Sequence, residues 1–319
     1  MKKILNKDWL KVHSNDFLSY GGLILCLIIF SFMSEGRLWM PYNVGILIQA
    51  VCVYAILALG AMFIYSMGYM DISVGAQVGV YCLVLILITN KTGNLWLGFG
   101  MILVLALFCG LVNGLVAVIL GLPSIVTSIF LMSIFGGVQM LIMEWQGTNS
   151  LSIEYDMKFL QSTKAMVLAI IIVAVIAIYL YKFTQLGKVT RAIGANEKAT
   201  EYSGIKTTKW KVLAYSFFGI CVSVASLFLM ARTGAAGKGT GNGYAMDIMV
   251  ALLLGGMPLS GGMKSKISSS LIGAFTYVVL SNGLTLSGVD ITYVYVIKAL
   301  VFLGVILITC RKKNGILPR

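Results

Sequence analysis

Apolar runs of membrane-span length, separated by short polar connectors, leave this chain very few ways to fold. A helix needs roughly 20 predominantly apolar residues to cross a bilayer core. Ten such stretches stand out along the 319 residues: 17–34, 44–66, 72–89, 95–120, 124–143, 165–182, 211–231, 245–258, 267–288 and 291–310. Lipid offers no water to satisfy backbone N–H and C=O groups, so each run is expected to be helical. The expectation is an all-α polytopic membrane protein of about ten transmembrane helices, forming one domain over 1–319. The eighth stretch is short and reads as a full crossing, a half-span or a re-entrant segment. The first follows Lys2, Lys3, Lys7 and Lys11 in the manner of a secretory signal. It lacks a small-x-small cleavage site and more spans follow, so a retained signal anchor is expected.

Composition agrees. Charged residues make up 11% of the chain, against roughly 25% in soluble domains, and the mean hydropathy is +0.94. The length prior for two soluble domains does not transfer to a helix bundle in lipid. The net charge of +13 sits in the connectors with no aromatic interleaving, so it points to membrane topology and away from nucleic acid. In a ten-span count the N-terminal segment 1–16, the connector 183–210, Lys264 with Lys266, and the tail 311–319 share one side. The positive-inside rule makes that side cytoplasmic, with both termini there. The connector 144–164, with Glu144, Glu154 and Asp156, falls outside. A count of eight, without the eighth span and one other, also puts both termini inside.

Chemistry of the catalytic kind is not visible. The six cysteines (Cys26, Cys52, Cys82, Cys109, Cys221, Cys310) lie in or at the ends of apolar runs without a CxxC pair, as small membrane-core hydrophobes do. One histidine, His13, supports neither an ordinary zinc site nor a Ser-His-Asp triad. The informative residues are the polar ones inside spans, because a charge there costs about 2.5–3.5 kcal/mol on insertion scales. Asp71, two residues before Ser73, either lines a pathway or gate or caps a helix starting at Ile72. Lys298 lies too deep to snorkel, so it needs a partner or a wet cavity. Asp247 is at similar depth, and Asp290 is the alternative. Asn113 and Asn282, each followed by Gly-Leu, read as helix–helix glue or as solute contacts. The glycines of "GLVNGLVAVILGLP" and "LLLGGMPLSGG" fit close packing and broken helices. A faint echo links "ALGAMFIYSMGYMDIS" (58–73) with "LLGGMPLSGGMKSKIS" (253–268), which would be a same-direction repeat.

One long charged stretch interrupts the apolar chain: "RAIGANEKATEYSGIKTTKWKV" (191–212). Gly194 and Asn196 are expected to start a short helix carrying Glu197, Ala199, Thr200, Glu201 and Tyr202, with Gly204 ending it. Such a helix would lie on the cytoplasmic face between spans six and seven, either solvated or as a docking element for a cytoplasmic partner.

Several of these stretches resemble one family. "GYMDISVG" resembles the Gly-Gly-Ile-Asp-Leu-Ser-Val-Gly signature of permease subunits from ATP-binding-cassette importers of the ribose, xylose and autoinducer-2 type. "GLVNGLVAVILGLPSIVTS" resembles their Asn-Gly stretch followed by Pro-Phe-Ile-Val-Thr-Leu. "RAIGANEKATEYSGI" is similar to their Ala-Ile-Gly-Gly-Asn-Glu coupling segment, and "GYAMDIMVALLLGGMPLSGG" and "LSNGL" complete the order from about 44 to 310. The resemblance implies a ten-span bacterial inner-membrane permease that dimerises with a second copy or a paralogue. It also implies two cytoplasmic ATPase subunits and an extracytoplasmic substrate-binding protein as partners. Gly194, Asn196, Glu197, Ala199, Ser203 and Gly204 would form the ATPase-coupling helix, with the Glu197 carboxylate offered to a basic partner surface. Asp71, Ser73, Asn113, Asp247, Asn282 and Lys298 are the candidate pathway or gate residues.

No cofactor is expected in the chain itself. No GxxxxGK[ST] loop is present, so ATP would be hydrolysed on the partner. The pattern is not followed everywhere. Tyr69 replaces the second Gly of the signature, and Ser124 the Phe after Pro123. Ala245 and Met246 stand where Glu-Leu usually precedes Asp247, and Met263, Lys264, Ser265, Lys266 and Ser270 where small residues and Gly are typical. These departures suit one half of a heterodimer or a solute outside the common pentoses. The other function class weighed is a stand-alone secondary transporter coupled to H⁺ or Na⁺ through Asp71, Asp247 or Lys298.

Overall fold

A computed structural model describes residues 14–119 and 122–310. The basic residues at 2, 3, 7 and 11, His13 and the tail 311–319 lie outside the described residues. Helices occupy all ten apolar stretches: α1 (Ser14–Met33), α2 (Pro41–Ser66), α3 (Val74–Thr92), α4 (Leu95–Ile119), α5 (Ser124–Trp145), then, after a short helix α6 (Lys158–Gln161), α7 (Thr163–Phe183). Two connector helices follow, α8 (Gln185–Ala195) and α9 (Glu197–Tyr202), and then α10 (Thr207–Thr233), α11 (Tyr244–Leu254), α12 (Ile267–Leu286) and α13 (Ile291–Cys310).

Seven of these, α2, α3, α4, α5, α7, α10 and α12, are long and apolar enough to cross a membrane among the described residues. Ser19–Met33 and Tyr244–Leu254 are shorter apolar helices. At 11 residues, α11 is about 16 Å long, roughly half the hydrocarbon thickness.

The boundaries follow local chemistry. Pro41 opens α2, where its missing N–H costs nothing. The Ser162 hydroxyl accepts from Ala165 N to cap α7, and Thr184 accepts from Leu186 N to cap α8. Both α3 and α10 stop at a left-handed glycine, Gly93 and Gly234.

α10 is the central rod, packed against α2, α3 and α4. Its neighbour α2 is buried almost without interruption from Ala50 to Ser66, as its all-round apolar sequence requires. α4 reaches α10 backbone to backbone: a Cβ on Gly110 would lie 2.8 Å from Ser216 Cα, and one on Gly114 2.8 Å from Val212 Cα. Small residues permit that approach, and packing drives association where lipid removes the hydrophobic difference. α5 and α7 turn apolar side chains outward, among them Ile134, Leu141, Leu168 and Val175. At the end where α10 leaves the bundle, β1 (Ser150–Ser152) pairs antiparallel with β2 (Ala235–Gly237), Leu151 opposite Ala236. Gln139 Nε2 holds this ribbon through the carbonyls of Gly237 (2.8 Å) and Thr240 (3.1 Å).

Three expectations change. α3 begins at Val74 and α10 at Thr207, so Lys211 sits inside a helix instead of at a span's edge. The 183–210 connector is largely helical, because Leu186, Val189 and Ile193 recur at helical spacing and bury one face of α8. The echo between 58–73 and 253–268 does not extend to the backbone. Residues 58–66 continue α2, while their counterparts run past the end of α11 into the loop before α12. The two loops do touch: Gly262 N donates to Ser66 O at 2.8 Å.

Candidate functional site

The connector forms much of the short helix read from its sequence, with one change of role. Asn196 is its cap, Oδ1 accepting from Ala199 N at 3.0 Å. Glu197 starts α9, an acidic residue where the helix N-terminus favours one. Ser203 Oγ donates to Ala199 O at 2.9 Å, and Gly204 closes the turn at φ +83°. Gly194 does not start α9: it lies in the last turn of α8. A Cβ there would fall on Ser66 O and come within 2.6 Å of Gly262 N, so hydrogen is what lets α8 press on the end of α2.

Glu197 is bonded within the chain itself. Its Oε1 is paired with Lys211 Nζ, and its Oε2 accepts a 2.7 Å hydrogen bond from Tyr69 OH. The Lys211 ammonium sits 5.2 Å from the Tyr69 ring centroid, within cation–π range. Burial works to raise the Glu197 pKa, but the hydrogen bonds from Lys211 and Tyr69 outweigh it and hold the carboxyl below its usual value.

The loop between α2 and α3 continues this polar seam. Met70 N donates to Ser124 Oγ on α5 at 3.2 Å. Asp71 is buried and accepts from Ser73 N (2.8 Å) and Ser73 Oγ, while Asn113 on α4 donates to its Oδ2 at 2.8 Å. Asp71 therefore folds the turn ahead of α3 while Ser73 takes the cap position. Asn113 thus ties α4 to the loop between α2 and α3. Gln77 and Tyr81 extend the chain along α3 at 2.8 and 3.2 Å.

The second cluster lies on α2, α11, α12 and α13. Asp247 Oδ2 accepts from Tyr54 OH at 2.9 Å. Lys298 Nζ donates to Tyr277 OH at 2.7 Å and sits 4.8 Å from that ring's centroid. The Tyr54 ring packs on both Tyr277 (5.0 Å) and Tyr244 (5.2 Å). Asp247 and Lys298 are thus joined through two tyrosines. Asn282 stands apart on α12, its Oδ1 buried with no hydrogen-bond partner among the described residues.

Tyr54, Tyr277 and Lys211 carry these sites and were not singled out from sequence. Tyr69 was marked only as a departure from a motif. Tyr181 belongs with them: its OH is 2.9 Å from Ser66 Oγ and donates to Ser265 O at 3.1 Å, with Arg191 over its ring.

Apolar spans broken at buried polar junctions, with a helical connector bonded into one of them, have the architecture of a membrane permease. The chain belongs to the family described as branched-chain amino acid transport system, permease component, whose model matches residues 43–307. The ribose import permease protein RbsC of Escherichia coli (strain K12) is 28% identical over 98% of each chain. RbsC of Bacillus subtilis (strain 168) is 30% identical over 92% of each. The autoinducer 2 import system permease protein LsrC of Photorhabdus luminescens is 25% identical over 92% of this chain and 89% of its own. No solved structure matches. The chain is an integral, multi-pass transport component.

Proposed function

We propose that this chain is the permease subunit of an ATP-binding-cassette importer, translocating a sugar or sugar-like small polar solute that an extracytoplasmic binding protein delivers. A second permease copy or paralogue completes the pathway, and two cytoplasmic ATPase subunits supply the drive. About ten spans in a bacterial inner membrane, with both termini and residues 183–210 cytoplasmic, complete the reading. The observation that carries it is the connector: two capped helices, α8 and α9, bonded into the junction of α2 and α3 at Glu197 and Tyr69. That is the form needed by an element that receives motion and passes it to the spans. Relatives named for ribose and autoinducer 2 import supply the solute class.

The test is uptake into proteoliposomes. Transport should require ATP, the ATPase subunits and the binding protein together. Ion-driven uptake by the purified chain alone would overturn the proposal in favour of a secondary transporter.

A further inference from the structure

We propose that Tyr69 is a positioning residue of the transport reaction: its hydroxyl, through Glu197, holds α9 in register with the break between α2 and α3. The inference rests on the importer reading, in which α9 receives the ATP-driven motion. Three consecutive residues of the loop are each bonded to a different element. Tyr69 reaches Glu197 of α9, Met70 N reaches Ser124 of α5, and Asp71 accepts from Asn113 of α4. A displacement of α9 therefore acts on one end of a short segment whose next two residues hold α5 and α4.

Apart from the Glu197 contacts, α9 is held by buried Thr200 and by a 2.7 Å hydrogen bond from Thr207 Oγ1 of α10 to Glu201 Oε1. It is six residues long, too short to be stable by itself, and its residues Lys198, Ala199, Glu201 and Tyr202 are exposed. Its position is set where it is bonded. The Glu197 carboxylate divides its two oxygens between Lys211 and Tyr69, and Lys211 lies against the Tyr69 ring, so the three groups close a triangle. The Lys211 side chain is only 11% exposed and that of Glu197 34%. Hydrogen bonds to charged groups so placed are stronger than neutral ones. Tyr69 and Ser124 are also two of the positions where this chain leaves the motifs it resembles, and Gly and Phe side chains offer no such hydroxyls.

The experiment uses the permease assembled with its ATPase subunits in nanodiscs. Hydrogen–deuterium exchange is followed at residues 196–203 and 67–73, with and without ATP plus vanadate. In the unaltered complex both segments should respond to trapping together. Tyr69→Phe keeps the ring and removes one hydroxyl. It should leave the response of 196–203 in place and reduce that of 67–73 roughly tenfold, the scale of one hydrogen bond to a charged group. Glu197→Gln is the second variant and should uncouple the segments in the same way, so misfolding of one variant does not decide the outcome. A purely structural role would lower the melting temperature and leave both responses coupled, which overturns the inference. An unaltered complex with no response at 196–203 overturns the importer reading itself.

Discussion

The phenol of Tyr69 donates a 2.7 Å hydrogen bond to the Glu197 carboxylate across 128 residues of chain. This bond brings the turn after α2 and the helix after α8 to one point, with Lys211 of α10 paired to the carboxylate's other oxygen. The connector is therefore part of the folded frame, not a solvated strap between two spans.

Gly194 and Gly204, which lie on either side of α9, should fail for different reasons. At Gly194 an added Cβ meets the backbone of Ser66 and Gly262, so Gly194→Ala and Gly194→Ser should each cost about 1–3 kcal/mol. Gly204 has open space but φ +83°, so Gly204→Ala should cost about 1–2 kcal/mol. Gly204→Asn should recover most of that, because Asn tolerates the left-handed region. Thermal melting of the purified protein in detergent reads all four variants, and equal losses in Gly204→Ala and Gly204→Asn would contradict the backbone argument.

Removing the donor to a buried carboxylate should be costly. Asn113→Leu takes away the bond to Asp71 Oδ2 and should destabilise by about 1–3 kcal/mol. Asn113→Asp, which sets two carboxyl groups face to face, should reduce folded yield further. Melting and size-exclusion yield check both; an Asn113→Leu protein as stable as the parent would remove Asn113 from this role.

Tyr54 and Asp247 should couple in a double-mutant cycle. Their hydrogen bond joins α2 to α11 at 2.9 Å, so Tyr54→Phe and Asp247→Asn together should fall short of the sum of the single effects by about 1 kcal/mol. Additive losses in stability and in uptake would show that the two residues act separately.

Acid should weaken the connector in a defined direction. The folded Glu197 pKa lies below its ordinary 4.5, so its contribution is fully present above that value. It is lost as pH falls through the depressed folded pKa. The melting difference between the parent and Glu197→Gln should be constant above 4.5 and shrink below it. A difference that grows on acidification would reverse the assigned sign.

Orientation is checked by cysteine labelling of intact cells. Single cysteines at the exposed positions Asp156 and Lys198 should behave oppositely toward an impermeant reagent, with Asp156→Cys labelled and Lys198→Cys protected. Labelling at 198 would invert the topology.

Seven spans of the expected ten are long and apolar enough to cross among the described residues, and they are legible because a run of about 20 apolar residues has no other stable form in lipid. α8 was missed although its signal was present: Leu186, Val189 and Ile193 keep helical spacing, but charged neighbours made the stretch read as a loop. Asn113 was readable as glue, whereas its acceptor was not, since nothing local links positions 71 and 113. Asp247 and Lys298 were matched to each other by depth and charge. The structure puts tyrosine hydroxyls beside both, and hydropathy counts tyrosine with the apolar residues, which hides the partner a buried charge needs. Glu197 was read as outward-facing because only the fold brings Tyr69 and Lys211 to it.

α10 begins close to the Glu197–Lys211 pair and ends at Gly234, one residue before the β1–β2 ribbon. The pair and the ribbon therefore lie at opposite ends of one helix. Its 27 residues span about 40 Å, so a tilt of ~10° about the foot would sweep the tip through ~7 Å. Because α2 and α4 lie flush along it, any such tilt of α10 would have to carry both neighbours with it.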